Sequence, residues 1–144
     1  AVLATDAVAS SMTAGSHGST FGGNPLAMAV ANANLDVLTS DGFLDNVIRS
    51  GDALRAGLRE IAGRHPDIIT DVRGQGLMIG MVIAEPFTNG QLGEAARDSN
   101  LLTVVAGENV LRMLPPLIIG ESEIAEAVEA IEQACTALAS AGDA

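Results

Sequence analysis

Between His17 and Pro25 the chain carries two adjacent hydroxyls, Ser19 and Thr20, set among Gly18, Gly22 and Gly23 and followed by Asn24. Hydroxyls and free backbone N–H groups are what a phosphate needs, and glycines let it approach closely. The same residues also describe a flexible loop that ends on an Asn24 cap, and residue type alone leaves both readings open. No Gly-Lys-Ser/Thr follows, so this is not a nucleotide-binding P-loop. A second candidate is Arg112, between Leu111 and Met113 and just ahead of Leu114-Pro115-Pro116. An unpaired charge is expensive in an apolar strand, so such an arginine either binds a carboxylate or sits on the polar face of an edge strand.

Other residues promise less. Gly74-Gln75-Gly76 through Gly80 resembles a dinucleotide fingerprint, but the glycine spacing is off by one. Met81-Val82-Ile83 then reads as strand where helix is required. A hairpin turn is the better reading. His17 and His65 have no Cys or carboxylate at metal-ligand spacing, so no metal is expected. Cys135 falls on an apolar helical stripe and reads as core. All seven basic residues are arginines (49, 55, 59, 64, 73, 97 and 112), so the chain contains no lysine.

These residues need elements to position them. Residues 1–12 read as a short buried strand followed by a turn of helix, and 13–24 as a loop. Asn24 then Pro25 starts a helix, a cap side chain followed by a residue whose missing N–H costs nothing there. Gly42 breaks or bends it. A second helix runs through Leu44, Val47, Ile48, Leu54, Leu58 and Ile61 to about Gly63. Its polar side, with Asp45, Arg49, Asp52, Arg55, Arg59 and Glu60, reads as a solvated face. Ile68 to Arg73 and Leu77 to Ile83 predict a hairpin turning at 74–76. A short helix is expected at 91–99, then strands at 101–105 and 110–114, closed by Pro115-Pro116. The last helix is expected from a Ser122 cap, with Ile124, Val128, Ile131, Cys135 and Leu138 as its apolar stripe. The sum is a small α/β layer with helices on one face.

Composition sets limits. With 144 residues, 48% of them apolar, the chain suffices for one packed domain. Aromatics make up 2%, so the core must be aliphatic. A formal charge of −11 without any basic cluster excludes nucleic acid and disfavours an anionic membrane surface. No apolar run is long enough to span a bilayer. A single cysteine fits a reducing, cytoplasmic setting. The apolar start, without methionine, is expected of a chain cut from a longer one.

Three segments together resemble one family. Thr13 to Val30 resembles the phosphate-loop segment of class III pyridoxal-phosphate (PLP) aminotransferases, in their acetylornithine branch. Asp71 to Gly80 resembles that family's hairpin, and Leu101 to Ile119 its C-terminal strand pair. The resemblance implies a type I PLP-dependent transferase fold, PLP as cofactor, and a homodimer. It implies that Thr20 binds the cofactor phosphate in the neighbouring subunit's site, with Ser19 at the cofactor–substrate edge. Arg112 matches an arginine that contacts substrate or pairs with a site glutamate. The Schiff-base lysine of the family lies upstream of the segment matching Ala1, so no catalytic residue is expected here.

The expected organisation is the end of the large domain (1–23), a connecting helical region (24–64) and the small C-terminal α/β domain (65–144). The implied parent activity is transamination of N-acetylornithine with 2-oxoglutarate in arginine biosynthesis. Ornithine, succinylornithine and other ω-amino acids stay open as donors. A reading of another class, a non-catalytic α/β binding or dimerisation module, is favoured by the missing lysine and disfavoured by the order of the motifs.

Overall fold

A computed structural model describes residues 3–142. The chain divides into two compact units, Ala1–Ser40 and Asp41–Ala144. The first holds helices α1 (Asp6–Ala9) and α2 (Pro25–Leu38). The strand expected at the start is not formed: residues 3–5 are irregular and Leu3 is exposed, while Ala1 and Val2 lie outside the described residues. A strand needs a neighbour to take up its backbone hydrogen bonds, and none lies beside this segment among the described residues. Helix α2 starts as its sequence dictates, with Pro25 in the first turn and the Asn24 side chain accepting from the Ala27 amide. Its apolar side chains are not buried: Leu26, Val30, Leu35 and Val37 are all exposed.

The second unit contains the core. Helix α3 (Phe43–Arg64) follows Gly42, whose φ of 78° places it in the left-handed region. Four strands, β1 (Ile69–Gln75), β2 (Met78–Ile83), β3 (Val104–Ala106) and β4 (Val110–Met113), form one antiparallel sheet in the order β1-β2-β4-β3. Helices α4 (Asn89–Asp98) and α5 (Glu121–Gly142) complete it. Helix α3 packs on β1 and β2, α4 on β3 and β4, and α5 on both helices. Alternate residues Ile79, Met81 and Ile83 of β2, with Leu111 and Met113 of β4, meet Leu54, Leu58 and Ile61 of α3 in an aliphatic core. Full burial of each such side chain contributes about 1.5–3 kcal/mol.

Four local expectations change. The hairpin turns at Gly76-Leu77, with Gly76 at φ 54°, and Gly74 stays within β1. Residues 101–103 are irregular, so β3 begins only at Val104. Helix α5 begins at Glu121, and Ser122 does not cap it: the Gly120 amide donates to Glu123 Oε2 at 3.0 Å, and the Ser122 hydroxyl donates to the same oxygen at 3.1 Å. The polar side of α3 is only partly solvated, because Arg55 Nη1 donates to the carbonyls of Gly74 (3.4 Å) and Gly76 (3.3 Å).

Helices α3 and α5 are also tied through charge. Arg64 Nη2 donates to Glu132 Oε2 at 2.7 Å, and His65 Nε2 lies 3.0 Å from Glu132 Oε1. The Arg64 hydrogen bond, seconded by His65, holds the Glu132 carboxyl below its ordinary value. A depressed carboxylate contributes stability above its unfolded pKa and loses it as pH falls through the folded one. We therefore expect Glu132→Gln to lower the urea midpoint modestly at neutral pH. The gap should close as the medium is acidified through and below the ordinary carboxylate range. A gap independent of pH would assign Glu132 to packing alone.

Candidate functional site

The Gly-rich loop consists of two turns. The Ser16 amide (3.1 Å) and hydroxyl (2.7 Å) both donate to the Thr13 carbonyl, and the Gly22 amide donates to the Ser19 carbonyl at 3.3 Å. Gly22 folds close over Ser19, since a Cβ there would stand 3.0 Å from the Ser19 Cβ. Ser19 and Thr20 are exposed, and neither hydroxyl has a hydrogen-bond partner among the described residues. Two adjacent, uncommitted hydroxyls in a glycine-lined turn fit a phosphate group.

The helix end beside them offers less than its sequence suggests. Pro25 has no N–H; the Ala27 amide is taken by Asn24 Oδ1 at 2.9 Å, and the Met28 amide by the Asn24 carbonyl at 3.1 Å. Only the Leu26 amide of that turn stays uncommitted among the described residues. An anion here would rest chiefly on Ser19, Thr20 and loop amides, with the helix dipole adding field rather than hydrogen bonds.

Arg112 belongs to the other unit, in β4. Its strand is interior, paired with β2 on one side and β3 on the other, so the edge-strand reading is corrected. The register sets Arg112 beside Gly80 and Val104, on the face of the sheet turned away from α3 and α4. Its Nε is shielded from solvent and has no hydrogen-bond partner, and no carboxylate lies in ion-pair range, among the described residues. A shielded guanidinium N–H without an acceptor is costly, and a carboxylate from a ligand or from further polypeptide would satisfy it.

The same row holds a residue that sequence reading passed over. Arg73 of β1 pairs with Gly80, so Arg73, Gly80, Arg112 and Val104 run side by side across the sheet. Counting outward from the hairpin turn would have aligned Arg73 with Gly80; placing Arg112 next to them requires the strand order. Arg73 is half exposed and meets Glu108 Oε2 at 3.5 Å.

The remaining candidates are structural. His65 is held by Glu132, and His17 is exposed in the loop. Cys135 is fully buried in the core, and burial pushes its thiol up to about 12, which leaves almost no thiolate at neutral pH. A cleft of about 570 Å³ opens between α5, residues 99–102 and Pro115-Pro116, and none of Ser19, Thr20 or Arg112 lines it. No helix of the described residues is long and apolar enough to cross a membrane.

The family model described as aminotransferase class-III matches residues 1–135. The chain belongs to this family, whose fold is that of the type I PLP-dependent enzymes. It is 52% identical over 141 residues to the acetylornithine aminotransferase of Mesorhizobium japonicum, covering 98% of this chain and 35% of that protein. Acetylornithine aminotransferase 1 of Bradyrhizobium diazoefficiens is 50% identical over 140 residues, with 97% and 34% covered. Among solved structures, N-acetylornithine aminotransferase from Stenotrophomonas maltophilia superposes with a TM-score of 0.76 at 39% identity, covering 83% of this chain and 33% of that one. Ornithine aminotransferase from Toxoplasma gondii, described with partial occupancy of PLP at its active site, superposes at 0.77 with 31% identity, covering 92% and 32%. The chain spans about a third of the length of these relatives.

Proposed function

We propose that this chain is the C-terminal part of a PLP-dependent acetylornithine aminotransferase of arginine biosynthesis. The whole enzyme moves the terminal amine of N-acetylornithine to 2-oxoglutarate. The 52% identity to the Mesorhizobium enzyme along 98% of the chain carries the reading. Residues 1–23 are assigned to the end of the cofactor-binding domain, 24–64 to the connecting helices and 65–144 to the small domain. We place the enzyme in the cytoplasm as a homodimer. The exposed apolar residues of α2, Leu26, Met28, Val30, Leu35 and Val37, support burial against further polypeptide, since so many apolar side chains along one helix are normally covered.

PLP, when bound, supplies the aldehyde and the electron sink through which amino groups are exchanged. This chain's part is to bind and orient. Thr20 and Ser19 donate their hydroxyls to the cofactor phosphate, Thr20 acting in the neighbouring subunit's site. Gly22 keeps the turn tight enough to hold both hydroxyls together. Arg112 takes a substrate carboxylate on its unsatisfied guanidinium edge and so fixes how the substrate lies in the site. No lysine occurs in these 144 residues, so the covalent anchor of PLP comes from elsewhere in the enzyme.

The test is cofactor retention and donor choice in the full-length enzyme. Thr20→Ala is expected to weaken PLP binding by about tenfold or more, the loss of one hydrogen bond to a charged group. Unchanged PLP affinity would count against the loop assignment. The Toxoplasma likeness favours ornithine as a rival donor. Comparing kcat/KM for N-acetylornithine, succinylornithine and ornithine decides between them.

A further inference from the structure

We propose that Asn24 is a positioning residue for the phosphate-binding turn: its side-chain amide ties the peptide after Phe21 to the start of α2 and so fixes where Thr20 presents its hydroxyl. This inference rests on the cofactor-phosphate reading of Thr20 above and adds the residue that aims it. Three observations carry it. The Gly22 amide donates to the Ser19 carbonyl at 3.3 Å, closing a turn whose central residues are Thr20 and Phe21. The other end of the same peptide unit, the Phe21 carbonyl, accepts from Asn24 Nδ2 at 2.5 Å. The Phe21–Gly22 peptide is thus held at both ends, and Thr20 lies between Ser19 and that held unit. Asn24 Oδ1 in turn accepts from the Ala27 amide at 2.9 Å, in the first turn of a 14-residue helix. Gly23, at φ 74°, folds the chain back so that one side chain reaches both partners.

The chemistry of the bridge selects the residue. Its two partners are a carbonyl oxygen and an N–H, so the side chain must donate at one end and accept at the other. A primary amide does both. Helix capping uses only the oxygen; the bond from the nitrogen to the loop is no part of a cap. Aspartate and serine cap helices about as well as asparagine. Aspartate, however, has no proton for the Phe21 carbonyl, and it sets a negative charge on the loop that would take a dianion. Serine is neutral but has one polar atom in place of two. The Ala27 amide, given up to Asn24, therefore still serves the anion by anchoring the turn. A turn already in place when the phosphate arrives has less ordering left to lose.

The experiment uses the full-length enzyme stripped of its cofactor and titrated with PLP or with pyridoxal, which lacks the phosphate. Binding is read from the absorbance of the bound aldehyde. Asn24→Asp should raise the PLP dissociation constant by about tenfold or more, leaving pyridoxal within about twofold. Asn24→Ser should raise it by about threefold to fivefold, again with pyridoxal unchanged. Urea midpoints of both variants should stay near wild type, because the cap survives. Wild-type PLP affinity in both variants, with Thr20→Ala weakened, overturns the positioning role and leaves Asn24 a helix cap. An equal loss of PLP and pyridoxal overturns it as well, since the damage then lies away from the phosphate. Unchanged PLP affinity in Thr20→Ala brings down the phosphate reading of the loop itself, and this inference with it.

Discussion

Arg112→Gln in the full-length enzyme is expected to lower kcat/KM for the keto-acid acceptor by about 100-fold or more, the loss of a two-bond, charge-assisted grip on a carboxylate. Lysine at this position should not restore it, because a single ammonium cannot reproduce two parallel N–H donors. Stability should move the other way. The Arg112 Nε is shielded and has no acceptor among the described residues, so removing that N–H breaks no hydrogen bond within them. Arg112→Met keeps the stem that packs on the sheet and removes the charge. It should leave the urea midpoint unchanged or raise it, while activity collapses. An enzyme that melts earlier but still turns over normally would make Arg112 a purely structural residue.

The second large effect lies at Gly51, where α3 touches the hairpin. A Cβ there would fall 2.2 Å from the Gly76 carbonyl oxygen and 2.5 Å from its carbon. That backbone cannot retreat cheaply, because Arg55 binds the carbonyls on either side of Gln75. Gly51→Ala should therefore cost about 3 kcal/mol, at the upper end of overpacking penalties. Gly63 lies in the same helix with nothing within 4 Å of the corresponding position. Gly63→Ala should stabilise by up to about 1 kcal/mol through helix propensity alone. Urea midpoints of the two variants, opposite in sign, check the close approach; similar small shifts in both would refute it.

Local chemistry made much of the fold legible. The start at Asn24-Pro25, the hairpin over 69–83 and the apolar stripe of α5 all rest on contacts between near neighbours in the chain. Errors arose where two local solutions compete or where a distant segment decides. A glycine-rich run marks a turn without saying which glycine turns: Gly74 stays in the strand, with a Cβ there 2.1 Å from the Met78 carbonyl oxygen. Ser122 has the residue type of a cap, but Glu123 reaches the Gly120 amide instead. The strand expected from 101 is shortened because Asn100, at φ 64°, and the Leu101 amide, bonded to the Ala96 carbonyl, still belong to the end of α4.

The candidate site follows the same rule. The hydroxyl pair of the loop is visible as two letters, and neither hydroxyl has a hydrogen-bond partner among the described residues. The committed amides at the start of α2 were not visible, because an Asn24 cap and an anion compete for the same N–H groups. Arg112 could not be placed from its neighbours in sequence. Its interior position depends on β3 pairing outside β4, which only the strand order reveals.

Helix α2 has a practical consequence. Fourteen residues are too few to hold a helix in water unaided, and none of these is buried here. Asn24 joins the helix to the loop, so the two order or fray together. Deuterium uptake at the α2 amides therefore becomes a gauge of assembly: rapid exchange when the surface is bare, slow exchange once a protein neighbour lies on it. The same labelling run would time when Ser19 and Thr20 are brought to rest.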